Sequence, residues 1–213
     1  MNRTDTEKNG KAKNGKAAPG RPRDPETTAN ILRAALSLGE ELGFDGLTVE
    51  GVAARAGVGK TTIYRRWPNV WAIVMDAFLA EADRQAPIQE RATVRESLAA
   101  SMRMLARAYR GQQGKILRPL LGRAQVDEEL RRAVRENWVV PRRQRALEIV
   151  RRGIASGELR AGLDPEVVLD ALYGPFYHRL LLPYDDDAPI SDAYVDALVD
   201  TVFGGLERKP PRK

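Results

Sequence analysis

TVEGVAARAGVGKTTIYRRW, residues 48–67, reads as two short helices joined by a tight turn. The spacing predicts the first helix over Val49 to Ala56, a turn at Gly57 and Val58, and the second helix over Gly59 to Arg66. Thr48 stands just before the apolar run, where a hydroxyl accepts a hydrogen bond from an early helical N–H. Gly57 suits the left-handed conformation that ends a helix. Val52, Ala53, Ala56, Val58 and Ile63 are the apolar positions, and the two alanines are small enough for helices to cross closely. The outward side of the second helix then carries Lys60, Thr61, Thr62, Tyr64, Arg65 and Arg66. Such a donor-rich helix fits the major groove of double-stranded DNA, with threonine and arginine toward base edges and lysine toward phosphate. The pattern is that of a helix-turn-helix.

GVGKTT, residues 57–62, also resembles the end of a phosphate-binding loop, GxxxxGK[ST]. Counting back from Gly59 puts Ala54 where the first glycine belongs, and the preceding run is helical. A nucleotide-binding enzyme is therefore the weaker alternative.

Upstream, Asp24-Pro25-Glu26 is a helix start. Ile31, Leu32, Ala35, Leu38 and Leu42 follow at helical spacing and Gly43 closes the helix. Phe44 and Leu47 link it to Thr48. Thr27 and Thr28 stand near its start, either as phosphate contacts or as ordinary first-turn threonines. With these residues in view, 21–84 resembles the DNA-binding domain of the TetR family of bacterial transcriptional regulators, carried by ILRAALSLGEELGFDGLTVEGVAARAGVGKTTIYRRWPN. The resemblance implies an all-α protein: a three-helix DNA-binding domain with the helix-turn-helix, and a larger helical ligand-binding and dimerisation domain. It implies repression relieved by a small molecule, with Thr48 and Tyr64 on backbone phosphates and Lys60, Thr61, Thr62 and Arg65 near bases or phosphates. Where the family often places a lysine at the start of helix four, Pro68-Asn69-Val70 stands here, so Asn69 offers at most a neutral contact.

The chain of 213 residues carries a formal charge of +6 and is 43% hydrophobic. Residues 1–23 hold seven Lys/Arg against two Asp/Glu, while residues 24–84 hold six against nine. The positive charge of the reading unit is thus confined to one helix face and to the arm before it. Met1 to Gly20 is polar and poor in large apolar residues, as in a disordered leader. Arg21 and Arg23, on the extended run Gly20-Arg21-Pro22-Arg23, are candidates for the minor groove. Neither an apolar segment after the N-terminus nor an 18-residue apolar window is present, so no signal peptide or membrane partner is expected. The absence of cysteine fits a cytoplasmic protein. The domains expected are a basic arm over 1–23, the DNA-binding domain over 24–68, the helical body over 69–207 and a basic tail over 208–213.

In the body, apolar residues recur at helical spacing from Asn69 to Arg84 and from Val94 to Tyr109, with Gly111 and Gly114 ending the second of these helices. Further helices are expected from Ile116 to Ala124, from Asp127 to Ala155 with a kink or boundary at Pro141, after Asp164-Pro165-Glu166, and from Ser191. The arginines of the Asp127–Ala155 run read as the solvated side of a helix, paired with nearby glutamates. Phe78, Met102, Leu117 and Leu121, with the aromatics Trp71, Tyr109, Trp138, Tyr173 and Tyr177, fill a core and, on the family resemblance, line a pocket for an apolar or aromatic effector. The apolar stripe of the last helix, with Val195, Val199, Val202 and Phe203, is wide enough to suggest a second copy of the chain as partner. Leu172, Phe176 and Leu180 join it in an expected four-helix interface. His178 is the one histidine, so no nitrogen-sulfur metal site is expected. The acids Asp185 to Asp187 read as a loop rather than a spaced metal-binding loop. No cofactor and no catalytic triad are expected. A DNA-binding dimer with no small ligand remains the other alternative.

Overall fold

The computed structural model describes residues 25–182 and 190–206, without the side chains of Asp83 and Arg84. The arm with Arg21 and Arg23, the Asp24 cap, the acids Asp185 to Asp187 and the basic tail lie outside the described residues. Those described form α-helices joined by short turns, with no β-strand among them.

Helix α1 (Pro25–Leu42) buries Ile31, Ala35 and Leu38. A 3-10 turn (Phe44–Gly46) tucks Phe44 beneath it and leads to α2 (Val49–Ala56). The Thr48 hydroxyl accepts from the Gly51 N–H at 3.1 Å, and Gly57 takes φ 66°, ψ 33°. Both ends of α2 are thus set by local chemistry, as expected. Helix α3 (Lys60–Tyr64) is shorter than the spacing suggested, because the chain tightens after Tyr64: the Arg66 and Trp67 N–H groups both donate to the Ile63 carbonyl. The Trp67 indole N–H donates to Asp76 at 2.7 Å, which pins this turn to α4 (Val70–Gln85). Asn69 caps α4 with its side-chain oxygen on the Ala72 N–H at 3.0 Å. Its carboxamide oxygen is thereby committed to the protein's own backbone.

Arg55 of α2 ties itself to α1. Its guanidinium donates to both carboxylate oxygens of Glu41 at 2.7 Å and to the Ser37 hydroxyl at 2.9 Å. This forked geometry holds the Glu41 carboxyl down at about 2, through the Arg55 hydrogen bonds first and the Ser37 hydroxyl second.

Helix α5 (Val94–Arg110) starts with a reciprocal capping box between Thr93 and Glu96. Its buried Ser97 and Ser101 hydroxyls accept from the N–H groups of Arg91 and Gln89, laying the link from α4 along its surface. Helix α6 (Gln112–Ala124) begins four residues earlier than the apolar pattern indicated, with Gly111 as its cap and Pro119 inside it. Gly114 therefore lies within α6 rather than at the end of α5. A Cβ there would stand 1.9 Å from the Tyr109 carbonyl oxygen, so only glycine permits this crossing.

Helix α7 (Glu128–Val134), capped by Asp127, passes through a π-helical turn (Arg135–Val139) into α8 (Val140–Ser156). The break expected at Pro141 takes this form, a wider turn that accommodates the missing donor. Helix α9 (Pro165–Leu181) and helix α10 (Asp192–Leu206) complete the fold. Helix α10 lies along α5, joined by Arg103 to Asp196 at 2.5 Å, Arg107 to Asp192 at 2.5 Å, and Arg95 to Asp200.

The stripe assigned to a partner is corrected by this packing. Leu172, Phe176, Leu180, Val195, Val199 and Phe203 are at most 2% exposed within a single chain. They fill the protomer's own core, because α9 packs on α8 and α10 on α5. Val202 is half-buried. The side left open is different: Val167, Ala171, Gly174 and Leu181 of α9, and Ala193, Ala197, Thr201 and Gly204 of α10.

Gly114→Ala drives a methyl into backbone rather than into a movable side chain, so the expected loss is about 3 kcal/mol or more, read from urea unfolding. The Glu41 carboxyl stands below its ordinary 4.5, so its contribution is complete above about pH 4.5 and fades as pH falls toward 2. The thermal midpoint of the wild type should drop on acidification across that window more than that of Glu41→Gln, and added salt should narrow the difference.

Candidate nucleic-acid interface and interior cavity

Helix α3 is fixed from behind by Ile63, which is fully buried, with Val52 and Ala53 of α2 buried in the same core. That orientation sends Lys60, Thr61, Tyr64 and Arg65 to solvent and leaves Thr62 half-exposed. Tyr64 is 51% exposed, unusual for so large a ring. Arg65 makes no ion pair or hydrogen bond through its side chain among the described residues. Lys60 lies 3.1 Å from Glu50, an exposed pair that water and salt screen and that a phosphate can replace. The Glu50 carboxyl is lowered by its own backbone N–H and then by Lys60.

Arg66 does not join this row. Its guanidinium donates to the Thr28 hydroxyl of α1 and lies 6.0 Å from the Trp67 ring centroid. The side chain is half-buried and faces the start of α1 rather than the open side of α3. Thr28 is thus tied to the second helix of the motif, a role distinct from both readings its position offered. The GVGKTT run wraps no empty cradle: Gly57 ends α2, Gly59 caps α3, and Lys60 pairs with Glu50.

In the body, a cavity of about 70 Å³ lies between α5, α8 and α9. Ile88, Leu105, Val139, Ala146 and Leu169 form its apolar wall, and Trp138, Tyr173 and Tyr177 its aromatic one. Arg142 and Arg143 complete the lining. Of the nine residues expected around a pocket, three line it. Phe78 and Tyr109 stand one layer behind, Phe78 edge-on to Trp138 with centroids 4.8 Å apart and Tyr109 6.4 Å from Tyr177. Met102 and Leu117 are fully buried in the core, and Trp71 and Leu121 are half-buried away from the cavity. The sequence reading places Arg142 and Arg143 on the solvated side of their helix, because charged helical residues usually face water; the cavity lining corrects it. The available signal was Trp138 four residues before Arg142, a spacing that stacks the guanidinium over the indole at 4.5 Å.

The polar groups at this cavity are unevenly satisfied. Arg143 pairs with Glu166 at 2.5 Å and Asp170 at 2.9 Å. Arg142 has no carboxylate partner among the described residues and donates to the Ala86 carbonyl at the end of α4. Among the described residues the buried hydroxyls of Tyr109 and Tyr173 have no hydrogen-bond partner. Burial pushes the Tyr173 phenol up to about 12, with Arg142 opposing, and drives Tyr109 well above the usual range, with Tyr177 adding to the effect. Among the described residues no cluster of metal-binding side chains occurs, and no helix is long and apolar enough to cross a membrane.

Two family descriptions match this chain. Residues 31–70 match "Bacterial regulatory proteins, tetR family", and residues 88–202 match "Tetracyclin repressor-like, C-terminal domain". The HTH-type transcriptional regulator YdeS of Bacillus subtilis is 39% identical over 188 residues, covering 88% of this chain and 93% of that protein. The DNA-binding transcriptional repressor TetR of Mycobacteroides abscessus is 30% identical over 186 residues, covering 87% and 96%. Among solved structures, the TetR family transcription regulator SCO0332 superposes with a TM-score of 0.68 at 35% identity, covering 87% of this chain and all of that one. FadR of Bacillus subtilis, solved in complex with stearoyl-CoA, shares the fold at a TM-score of 0.68 and 23% identity, covering 84% and 99%. The chain belongs to the TetR family of DNA-binding transcriptional regulators, and the reading of GVGKTT as the loop of a nucleotide-binding enzyme falls with that membership.

Proposed function

We propose that this protein is a cytoplasmic, ligand-responsive repressor that binds a palindromic operator as a homodimer and is released by a small, mainly apolar or aromatic effector. Residues 24–68 form the DNA-binding domain in this reading, 69–207 the ligand-binding and dimerisation domain, and Arg21 and Arg23 reach into the minor groove. The observation that carries it is the open row Lys60, Thr61, Tyr64 and Arg65 on a helix whose opposite side, Ile63, is fully buried. Thr61 and Arg65 suit base edges; Thr48, Lys60 and Tyr64 suit phosphates. Thr62 stands at the margin of the row. Arg66, held on Thr28, acts by bracing α3 rather than by reading bases.

A single such helix reads only a few base pairs. A two-fold dimer sets two of them about 34 Å apart, or a multiple of it, so that each meets one half of a palindrome. The open side of α9 and α10 suits the dimer contact. Its alanines and glycines permit close helix approach, while Val167 and Leu181, 61% and 43% exposed, supply apolar area. The repressor sense is supported by the 30%-identical relative named as a repressor. Effector control is supported by the interior cavity with its unsatisfied hydroxyls. Of its neighbours, Phe78 belongs to α4 and Ala86 caps the C-terminal end of that helix, which carries the reading helices at its other end. An effector that favours one tilt of α4 would shift the population toward a spacing that no longer fits the operator.

Sites selected from random DNA provide the operator, and fluorescence anisotropy provides the affinity. Arg65→Ala should weaken binding by about 1–3 kcal/mol and relax sequence preference at one position of each half-site. An affinity and preference equal to wild type would remove Arg65 from the interface. Ala197→Arg, which plants a charge on the open side of α10 without touching the core, should convert the dimer to a monomer in light scattering; an unchanged mass would move the dimer contact elsewhere.

A further inference from the structure

The interior cavity is built for an anion. Among the described residues Arg142 and Arg143 line it and no acidic residue does. Arg143 is neutralised by Glu166 and Asp170, which leaves Arg142 as the uncompensated charge. Its guanidinium is held over the Trp138 ring and against the Ala86 carbonyl, contacts that orient a cation without cancelling it. The Tyr173 hydroxyl of the same lining is buried without a hydrogen-bond partner among the described residues, a donor in want of an acceptor. A carboxylate satisfies both at once, since it accepts from a guanidinium and from a phenol. Size narrows the class. At about 70 Å³ the space is roughly half of an engineered apolar cavity, about 150 Å³, that takes the six carbons of benzene, so it suits a ligand of about four heavy atoms, the size of acetate. Leu105, Ala146 and Leu169 offer a short aliphatic tail an apolar bed.

We propose that this cavity binds a short-chain aliphatic monocarboxylate, its carboxylate held by Arg142 and Tyr173 and its tail against Leu105 and Leu169. The proposal rests on the reading of the protein as ligand-responsive and replaces the apolar or aromatic effector of that reading with a small anion. Arg142 is then the residue through which occupancy is felt at α4, because a carboxylate competes with the Ala86 carbonyl for the same guanidinium.

The test uses the full chain, acetate as probe and acetamide as its neutral isostere, with calorimetry for binding and anisotropy on the selected operator for release. Acetate should bind about tenfold or more tightly than acetamide, the worth of one charge-assisted hydrogen bond. Arg142→Gln should bring acetate down to the affinity of acetamide, Arg142→Lys should recover part of it, and Tyr173→Phe should cost less than Arg142→Gln. Equal affinities for acid and amide, no acetate binding, or full acetate affinity in Arg142→Gln would overturn the proposal. Should Arg142→Gln fail to fold, the acid-to-amide comparison on the wild type and the Tyr173→Phe loss decide it by themselves. Acetate that binds through Arg142 yet leaves operator affinity unchanged would uphold the ligand class and refute the effector-released repressor.

Discussion

Helix α3 is five residues long, far below the length at which a helix persists by itself, so its existence depends on what it buries. One side chain, Ile63, is buried on it. Its position is therefore a consequence of the pocket formed by α1 and α2, and everything offered to DNA inherits its aim from that apolar contact. The surrounding devices serve it. Thr48 and Gly57 fix the ends of α2, Arg55 clamps α2 to Glu41 and Ser37 of α1, and the Arg66 guanidinium fastens the far end of α3 to Thr28. The exposed polar row is thus held from below by a core and from both flanks by ionic and hydrogen-bonded struts.

The body distributes its arginines by the same logic. Arg95, Arg103 and Arg107 of α5 meet aspartates spaced four apart on α10, which fixes the register of two antiparallel helices. Arg152 reaches Glu90 and Arg131 reaches Glu128, surface pairs of small worth. Arg142 differs from all of these, since it has an indole and a carbonyl where the others have carboxylates. A guanidinium treated in this way retains its charge for something else.

What the sequence revealed followed from how local the determining forces are. The limits of α2 and the starts of α7 and α9 rest on residues within a few positions of each other, so they could be read directly; Asn69 and Thr93 cap α4 and α5 by the same local chemistry and went unread. The start of α6 could not, because Gly111 and Gly114 look like a helix end until the crossing over Tyr109 is seen. Nor could the inward stripe of α9 and α10. Both helices are apolar around much of their circumference, and only the neighbours α8 and α5 decide that Leu172, Phe176, Val195 and Phe203 turn inward. The row on α3 was legible except for Arg66, whose direction is set by Thr28 nearly forty residues away. The cavity was legible in its aromatics and hidden in its cation, since an arginine on an amphipathic helix carries no mark of its partner.

The crossing at Gly114 has a mechanical meaning. Helices that touch through side chains can slide, because rotamers change at little cost; helices that touch main chain to main chain have nothing to rearrange. Helices α5 and α6 meet in the second way, and α6 also reaches the 3-10 turn beside Phe44. Helix α4 rests on α1, α5, α6 and α7 and buries Ile73, Val74, Met75, Ala77 and Phe78 among them, so any tilt of it must carry that packed layer along.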